Sequence, residues 1–394
     1  MAAMGAAMTF PHRPSAPLYL RLQYFIYFGV LGVYLPYFNL YCYHLDFSGA
    51  QIGLLSGLRS ATLVVFPFMW GVLADRFARR KSIYLLCNLT AALVWSAFLF
   101  NRSFAPMLVI TGLYGIFYAP LISFLEAYSM DILGENKKAY GRVRLWGSIS
   151  FIIVVAALGP LIDRLGIAVI VPLILAGALC QTAGALKLPA MPTAPRRRRA
   201  AAPPMEWRRV AVFLFCGFLM LVSHGTYYGF FSIHLEQTGR PPTFIGIAWA
   251  VAVAAEIAVM FYSRRLFERV SLEKVLLFSF LMAALRWTLL YLFTAPAVIL
   301  ATQILHACTY GTFHMASIIY MDRLTPTGAK TFGQAANNAI TYGLGLMVGF
   351  LLNGALFERL ATRHLFLTSA LVALAAGGLF LVGQMRLAPP AAGE

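Results

Sequence analysis

Gly71-Val72-Leu73-Ala74-Asp75-Arg76-Phe77-Ala78-Arg79-Arg80-Lys81 is the stretch from which the fold can be read. A long apolar run ends here and another begins, so this short charge-dense turn links two membrane spans. Gly71 would let two helices approach closely, and Asp75 can hold a neighbouring helix end by charge. The basic cluster Arg76, Arg79, Arg80 and Lys81 belongs on the cytoplasmic side of a membrane. The bland alternative is an ordinary positively charged loop, and the rest of the chain weighs against it.

Outward from the turn, 60% of the 394 residues are hydrophobic and 11% are charged, which excludes an ordinary soluble domain. A spanning helix needs about 20 mainly apolar residues. Such runs fall near 18–41, 51–74, 82–100, 104–127, 142–163 and 166–187, then near 210–234, 243–263, 273–294, 297–321, 332–355 and 364–386. The expected fold is therefore an all-α membrane protein of twelve transmembrane helices. The first seventeen residues lack the apolar core and cleavage site of a signal peptide, so the first span is expected to direct insertion.

The net charge of +17 raises the question of nucleic acid, and its distribution answers it. With the N-terminus inside, 23 of the 31 Lys and Arg fall in cytoplasmic segments and five (Arg102, Arg164, Arg240, Arg359, Arg363) fall outside. That bias places both termini in the cytoplasm of a plasma membrane, a bacterial inner membrane, and makes the basic character topological. No nucleic acid, cofactor or metal is implied, and no obligatory protein partner is evident. The five cysteines are scattered without paired spacing and read as small apolar residues.

Prolines 189, 192, 195, 203 and 204, with Arg196 through Arg199, interrupt the pattern. Residues 188–209 are thus expected to be a cytoplasmic linker between an N-terminal six-helix bundle, 1–187, and a C-terminal one, 210–394. The halves match each other. At an offset of 193, Ile52-Gly53 falls on Ile245-Gly246, Asp75-Arg76 on Glu268-Arg269 and Lys81 on Lys274. The turn after the eighth span is a degraded copy of the first, with Arg264 in place of the glycine. Weak internal symmetry of this kind marks two pseudo-symmetric bundles that rock about a central site.

An ionisable side chain deep in a bilayer costs roughly 2.5–3.5 kcal/mol, so it needs a cavity, a partner or a function. Arg59, Glu126, Arg144, Glu256 and Arg286 are such positions. Glu126 and Arg144 are equally spaced about position 135, and Arg286 and His306 about position 296, which predicts two pairs at matching depths. Three arginines against two carboxylates leave an excess positive charge, which favours an anionic solute such as a carboxylate. Arg59 and Arg144 either face that cavity or snorkel to the cytoplasmic face. Tyr24, Tyr27, Tyr34 and Tyr37 run along the first span and either line a cavity or pack. In the eleventh span, Gly343, Gly345 and Gly349 read as close helix contacts or a flexible point.

The Gly71-x-x-x-Asp75-Arg76 pattern with its basic cluster resembles the signature loop of the major facilitator superfamily, although that family usually has glycine where Ala78 stands. Tyr27-Phe28-Gly29-Val30-Leu31-Gly32-Val33-Tyr34-Leu35-Pro36-Tyr37-Phe38 and Tyr140-Gly141-Arg142-Val143-Arg144-Leu145-Trp146-Gly147-Ser148 are similar to the lactose permease and phenylpropionate permease branch. Leu285-Arg286-Trp287 and Gln303-Ile304-Leu305-His306 resemble the phenylpropionate permease-like group, which is also similar to nucleoside/proton symporters.

The resemblance implies a major facilitator fold and secondary active transport by alternating access. It implies substrate binding by Glu126 and Arg144 and a coupling network of Glu256, Arg286 and His306; the reading of the residues adds Arg286, Tyr24, Tyr27 and Trp146 as substrate-binding candidates and Glu126 as a proton-coupling candidate beside Glu256 and His306. It also makes Gly71, Asp75, Arg76, Arg79, Arg80, Glu268 and Arg269 the cytoplasmic gate. The sugar-transporting relatives carry a proton-binding carboxylate one turn after this His, where Thr309 stands here. Coupling would then fall to Glu126 or Glu256, a carboxyl that alternates between a dry pocket and a charged or watery one.

The expected function is proton-coupled import of a small organic solute. An aromatic or other monocarboxylate is favoured, with a sugar or nucleoside next. Efflux antiport on the same fold is the rival, weakened because only Gly159-Pro160 of the usual glycine-rich antiporter motif is present. A polytopic membrane enzyme would need clustered nucleophile, acid or metal-ligand groups, and none is found. A sensor would usually carry a soluble output domain.

Overall fold

The computed structural model describes residues 16–134, 136, 139–189, 206–326 and 329–387. The tip of the hairpin at position 135 and most of the expected linker lie outside the described residues. Among the described residues twelve spans follow one another: α1 (Ala16–His44), α2 (Gly49–Phe77), α3 (Arg80–Ser96), α4 (Phe104–Leu133), α5 (Tyr140–Leu165) and α6 (Ile167–Lys187), then α7 (Trp207–Gln237), α8 (Pro242–Arg269), α9 (Leu272–Leu292), α10 (296–324), α11 (Lys330–Phe357) and α12 (Thr362–Leu387). A helix pairs its backbone groups within itself, which is what lets an apolar run persist in lipid. Eleven of these helices are individually long and apolar enough to cross a membrane. The remaining span, α10, consists of Pro296–Ile304 and Thr312–Leu324 on either side of a π-helical segment, Ala307–Gly311. A second π segment, Asn338–Leu344, lies within α11.

Local chemistry sets the ends of α2. At its start the Gln51 N–H donates to Ser48 Oγ (3.2 Å) while the Gln51 side chain accepts from the Ser48 N–H (3.0 Å), a reciprocal capping box. At its end Ala78 takes the left-handed conformation, φ 51° and ψ 33°. The turn thus keeps a glycine geometry without the glycine, at a cost of roughly 1 kcal/mol.

Packing follows the repeat. α1 lies against α5 and α6 as α7 lies against α11 and α12, and the halves meet along α2 with α11 and α5 with α8. Ion pairs repeat with their charges exchanged. Arg80, opening α3, pairs with Asp131 near the end of α4. Glu273 near the start of α9 pairs with Arg323 near the end of α10, at 3.2 Å.

The halves are sealed at the face opposite the Gly71–Lys81 turn. Tyr37 Oη donates to the Pro242 carbonyl (3.1 Å), Asn39 Nδ2 donates to that of Gly229 (3.0 Å), and His44 pairs with Glu236 (2.8 Å). Two carboxylates reach across to the first turn of a facing helix. Asp163 of α5 accepts from the Thr243 N–H (3.3 Å) and hydroxyl, and Glu358, just past α11, accepts from the Gly49 N–H. Four residues before each stands a glycine in tight contact with the same facing helix. A Cβ at Gly159 would lie 2.6 Å from the Pro242 carbonyl oxygen, and one at Gly354 would lie 2.5 Å from that of Gly49.

Toward the turn the contact between α2 and α11 persists as far as Val64, against which Gly343 packs tightly. Gly53 and Gly57 sit against α11, yet a Cβ at Gly71 would meet nothing within 4 Å. Close approach at Gly71, expected from the sequence, is therefore absent in this conformation. In α11, Gly345 and Gly349 are close contacts, with added Cβ atoms 2.8 Å from the Phe218 and 2.7 Å from the Val222 carbonyl oxygens of α7.

Candidate functional site

Between the halves lies a cavity of about 290 Å³. α1 contributes Phe28, α2 Arg59, and α5 Arg144 and Phe151, while α7 contributes Tyr228, α8 Trp249 and Glu256, and α10 His306 and Tyr310. Both bundles thus present charge and aromatic surface to one chamber.

The charges in the C-terminal half form a connected unit. Arg286 is fully buried, and its Nη1 donates to His306 Nδ1 at 2.6 Å. A guanidinium can only donate, so Nδ1 carries no proton and the ring is the neutral Nε2–H form. Nε2 then donates to Glu256 Oε1 at 2.7 Å, with the Glu256 side chain 17% exposed and His306 3%. Arg286 also donates to Gln303 Oε1 (2.9 Å) and Thr309 Oγ1 (3.3 Å), and its guanidinium lies 4.2 Å from the Tyr227 ring centroid and 4.6 Å from that of Trp287. The consequence is specific. With His306 Nδ1 occupied and Arg286 without acceptors, a proton added to this unit has only Glu256 to bind.

The π segment after His306 packs on α8 and α9, and Tyr310 and His314 lead from it to α11. His306 stacks on Tyr310 with centroids 5.4 Å apart, and His314 Nδ1 lies 2.7 Å from Tyr342 Oη, within the second π segment. π segments often accompany functional sites, because the extra residue re-aims the side chains that follow.

Arg286 and His306, matched by their spacing about position 296, do meet. Glu126 and Arg144, matched about position 135, make no ion pair within 4 Å. Glu126 is exposed and close enough to Arg144 to interact electrostatically, but it is not on the cavity wall. The Arg144 guanidinium instead lies 3.7 Å from the Phe28 centroid, with its Nη1 unpartnered. Tyr24 and Tyr27 are buried packing residues. Tyr24 Oη bonds Ser129 Oγ at 2.9 Å, and the Tyr27 ring stacks on Tyr118 at 5.4 Å. Trp146 is 41% exposed, because two residues along a helix from Arg144 turn it to the other side of α5.

In the gate region, Asp75 lies 4.0 Å from Arg80, itself paired with Asp131, so the signature charges act within one bundle here. Arg76, Arg79, Glu268 and Arg269 are exposed. Arg59 was singled out for its depth but given no role, and the structure puts it on the cavity wall, 4.5 Å from the Tyr34 centroid. Gln303 stands in the Gln303-Ile304-Leu305-His306 segment, and the structure adds that its side chain accepts from Arg286; Tyr310 and Tyr342 carry no sequence signal, because the π segments they lie in set which way they face.

Two bundles around a shared charged cavity, sealed at one face, are the build of a membrane transporter. The chain belongs to the MFS_1 like family of the major facilitator superfamily, matched over residues 18–368. It is 28% identical over 364 residues to a probable 3-phenylpropionic acid transporter of Escherichia coli K12, covering 91% of this chain and 95% of that one. It is also 28% identical over 366 residues to the maltose permease of Geobacillus stearothermophilus, covering 90% and 91%. The structure resembles that of the nucleoside transporter NupG with a TM-score of 0.83 at 17% identity, over 93% of this chain and 98% of NupG. The chain is thus a multi-pass membrane transporter of small molecules, and its relatives are transporters rather than enzymes.

Proposed function

We propose that this protein is a proton-coupled symporter that imports a small organic anion, with an aromatic monocarboxylate as the favoured class. The observation that carries the reading is the charge inside the chamber. Arg59 and Arg144 face the same cavity as Glu256, whose own charge is matched by Arg286 through His306. A cavity left positive in low dielectric favours an anion, and its Phe28, Tyr228, Trp249 and Tyr310 walls suit a flat apolar body. The relative described as a probable 3-phenylpropionic acid transporter supports the same class. A sugar or nucleoside is the second reading, favoured by the maltose permease and NupG likenesses.

In this reading residues 1–187 and 210–394 rock about the 188–209 linker in a bacterial inner membrane, with both termini cytoplasmic. The sealed face is then periplasmic and the conformation inward-facing. Glu256 takes the proton. Its loss of charge weakens the hold of His306 and Arg286, and the Tyr310–His314–Tyr342 contacts pass the change to α11, which packs on α2.

The test is uptake into proteoliposomes under an imposed inward proton gradient, using labelled aromatic acids, sugars and nucleosides. Accumulation of the acids is expected. Accumulation of a neutral solute with none of the acids would refute the substrate class. Glu256→Gln should abolish accumulation and spare exchange, since the amide oxygen still accepts from His306 but the residue no longer titrates. Unchanged accumulation would remove Glu256 from coupling.

A further inference from the structure

We infer that Arg59 on α2 is the residue that anchors the anionic head of the transported solute. This deepens the anion reading above and rests on it.

Of the three deep arginines, one has its charge matched by a paired carboxylate. Arg286 is neutralised by Glu256 through His306, at 2.6 and 2.7 Å. Arg144 has its guanidinium 3.7 Å from the Phe28 centroid and its Nη1 unpartnered, with Glu126 in electrostatic range though not in contact. Arg59 makes no ion pair within 4 Å among the described residues, and its closest recorded partner is the Tyr34 ring, 4.5 Å away. The excess positive charge counted from the sequence is therefore carried by Arg59 and Arg144 on the cavity wall, and of the two only Arg144 has a carboxylate in electrostatic range.

Depth rules out snorkelling. Arg59 stands ten residues after Gly49, the start of α2, and eighteen before Phe77, its end, or about 15 and 27 Å along the helix. An arginine side chain is too short to reach either end, so its charge stays at mid-membrane unless a cavity serves it. Arg59 lines the main chamber beside Ser60, and also a small recess with Asn39, Ser56 and Tyr228 that continues from it. The Tyr34 ring of α1 covers a guanidinium face, and ring contact of that kind does not use the in-plane N–H donors. Across the chamber stand Trp249 and Tyr310. A carboxylate on the Arg59 fork with its ring against those aromatics fills both kinds of surface, and bidentate pairing supplies the orientation.

The experiment measures binding to purified protein by quenching of tryptophan fluorescence, with Trp249 in the cavity wall as reporter. The probes are benzoate, phenylacetate and 3-phenylpropionate, each against its neutral primary amide. The wild type should bind at least one acid about tenfold or more tightly than its amide, as expected for a charge-assisted pair. Arg59→Gln should bring that ratio to about one while amide binding persists, which also shows that the variant is folded. Arg59→Lys, which keeps the charge without the fork, should give an intermediate ratio and tests the inference should Arg59→Gln fail to fold. A wild-type ratio retained in both variants would overturn the role of Arg59 and leave the anion reading standing. Equal binding of acid and amide by the wild type, or binding of neither, would overturn the anion reading and this inference with it.

Discussion

The seal on the closed face can be broken at one atom. Gly53 of α2 faces the Phe350 carbonyl oxygen and the Gly354 Cα of α11, and a Cβ added there would lie 2.6 and 3.0 Å from them. Both are backbone atoms, so no side chain can swing aside. To restore an ordinary contact of 3.4 Å, α2 and α11 must separate by about 0.8 Å in Gly53→Ala, and by more in Gly53→Leu. Overpacking of this kind costs about 1–3 kcal/mol. That cost falls only on the conformation closed at this face, so it shifts the equilibrium between conformations by roughly 5- to 150-fold.

The assay is pulsed electron paramagnetic resonance between spin labels at Asp46→Cys and Arg359→Cys, exposed positions on that face in opposite halves, in a background without the native cysteines. Gly53→Ala should raise the long-distance population and Gly53→Leu should make it dominant, with transport slowed in step. An unchanged distance distribution in folded Gly53→Leu would refute the argument that backbone contact at this glycine closes the face.

Gly71→Leu should leave thermal stability almost unchanged, since nothing lies within 4 Å of the added Cβ, yet lower turnover because α2 and α11 must close there in the opposite conformation. Full turnover would mean that they do not. Ala78→Gly should raise the thermal midpoint by about 1–2 °C by relieving the left-handed alanine, as read by differential scanning fluorimetry in detergent. Asp163→Asn and Glu358→Gln each replace a charged acceptor at a facing helix start by a neutral one, so each should broaden the spin-label distances. Their effects should add, because the two contacts lie on different helix pairs.

The sequence by itself determined the spans, their number and the doubling of the bundle. Each is a local or periodic property: about 20 apolar residues cannot leave lipid, and charged turns in register at a fixed offset survive as text. It also named all five deep charges, because an ion at bilayer depth is conspicuous whatever its neighbours. Spacing paired Arg286 with His306 correctly, since both helices leave one short hairpin. The same rule gave Glu126 and Arg144 equal depth but not contact, and it could not show that Trp146 turns outward or that Tyr24 and Tyr27 only pack.

Tertiary structure alone decided which deep arginine is paired, which tautomer His306 adopts and which face is closed. Those outcomes depend on the rotation of each helix about its axis and on π segments at 307–311 and 338–344 that shift register. Rotation and register are set by side chains meeting from distant parts of the chain, and no run of neighbouring residues records them.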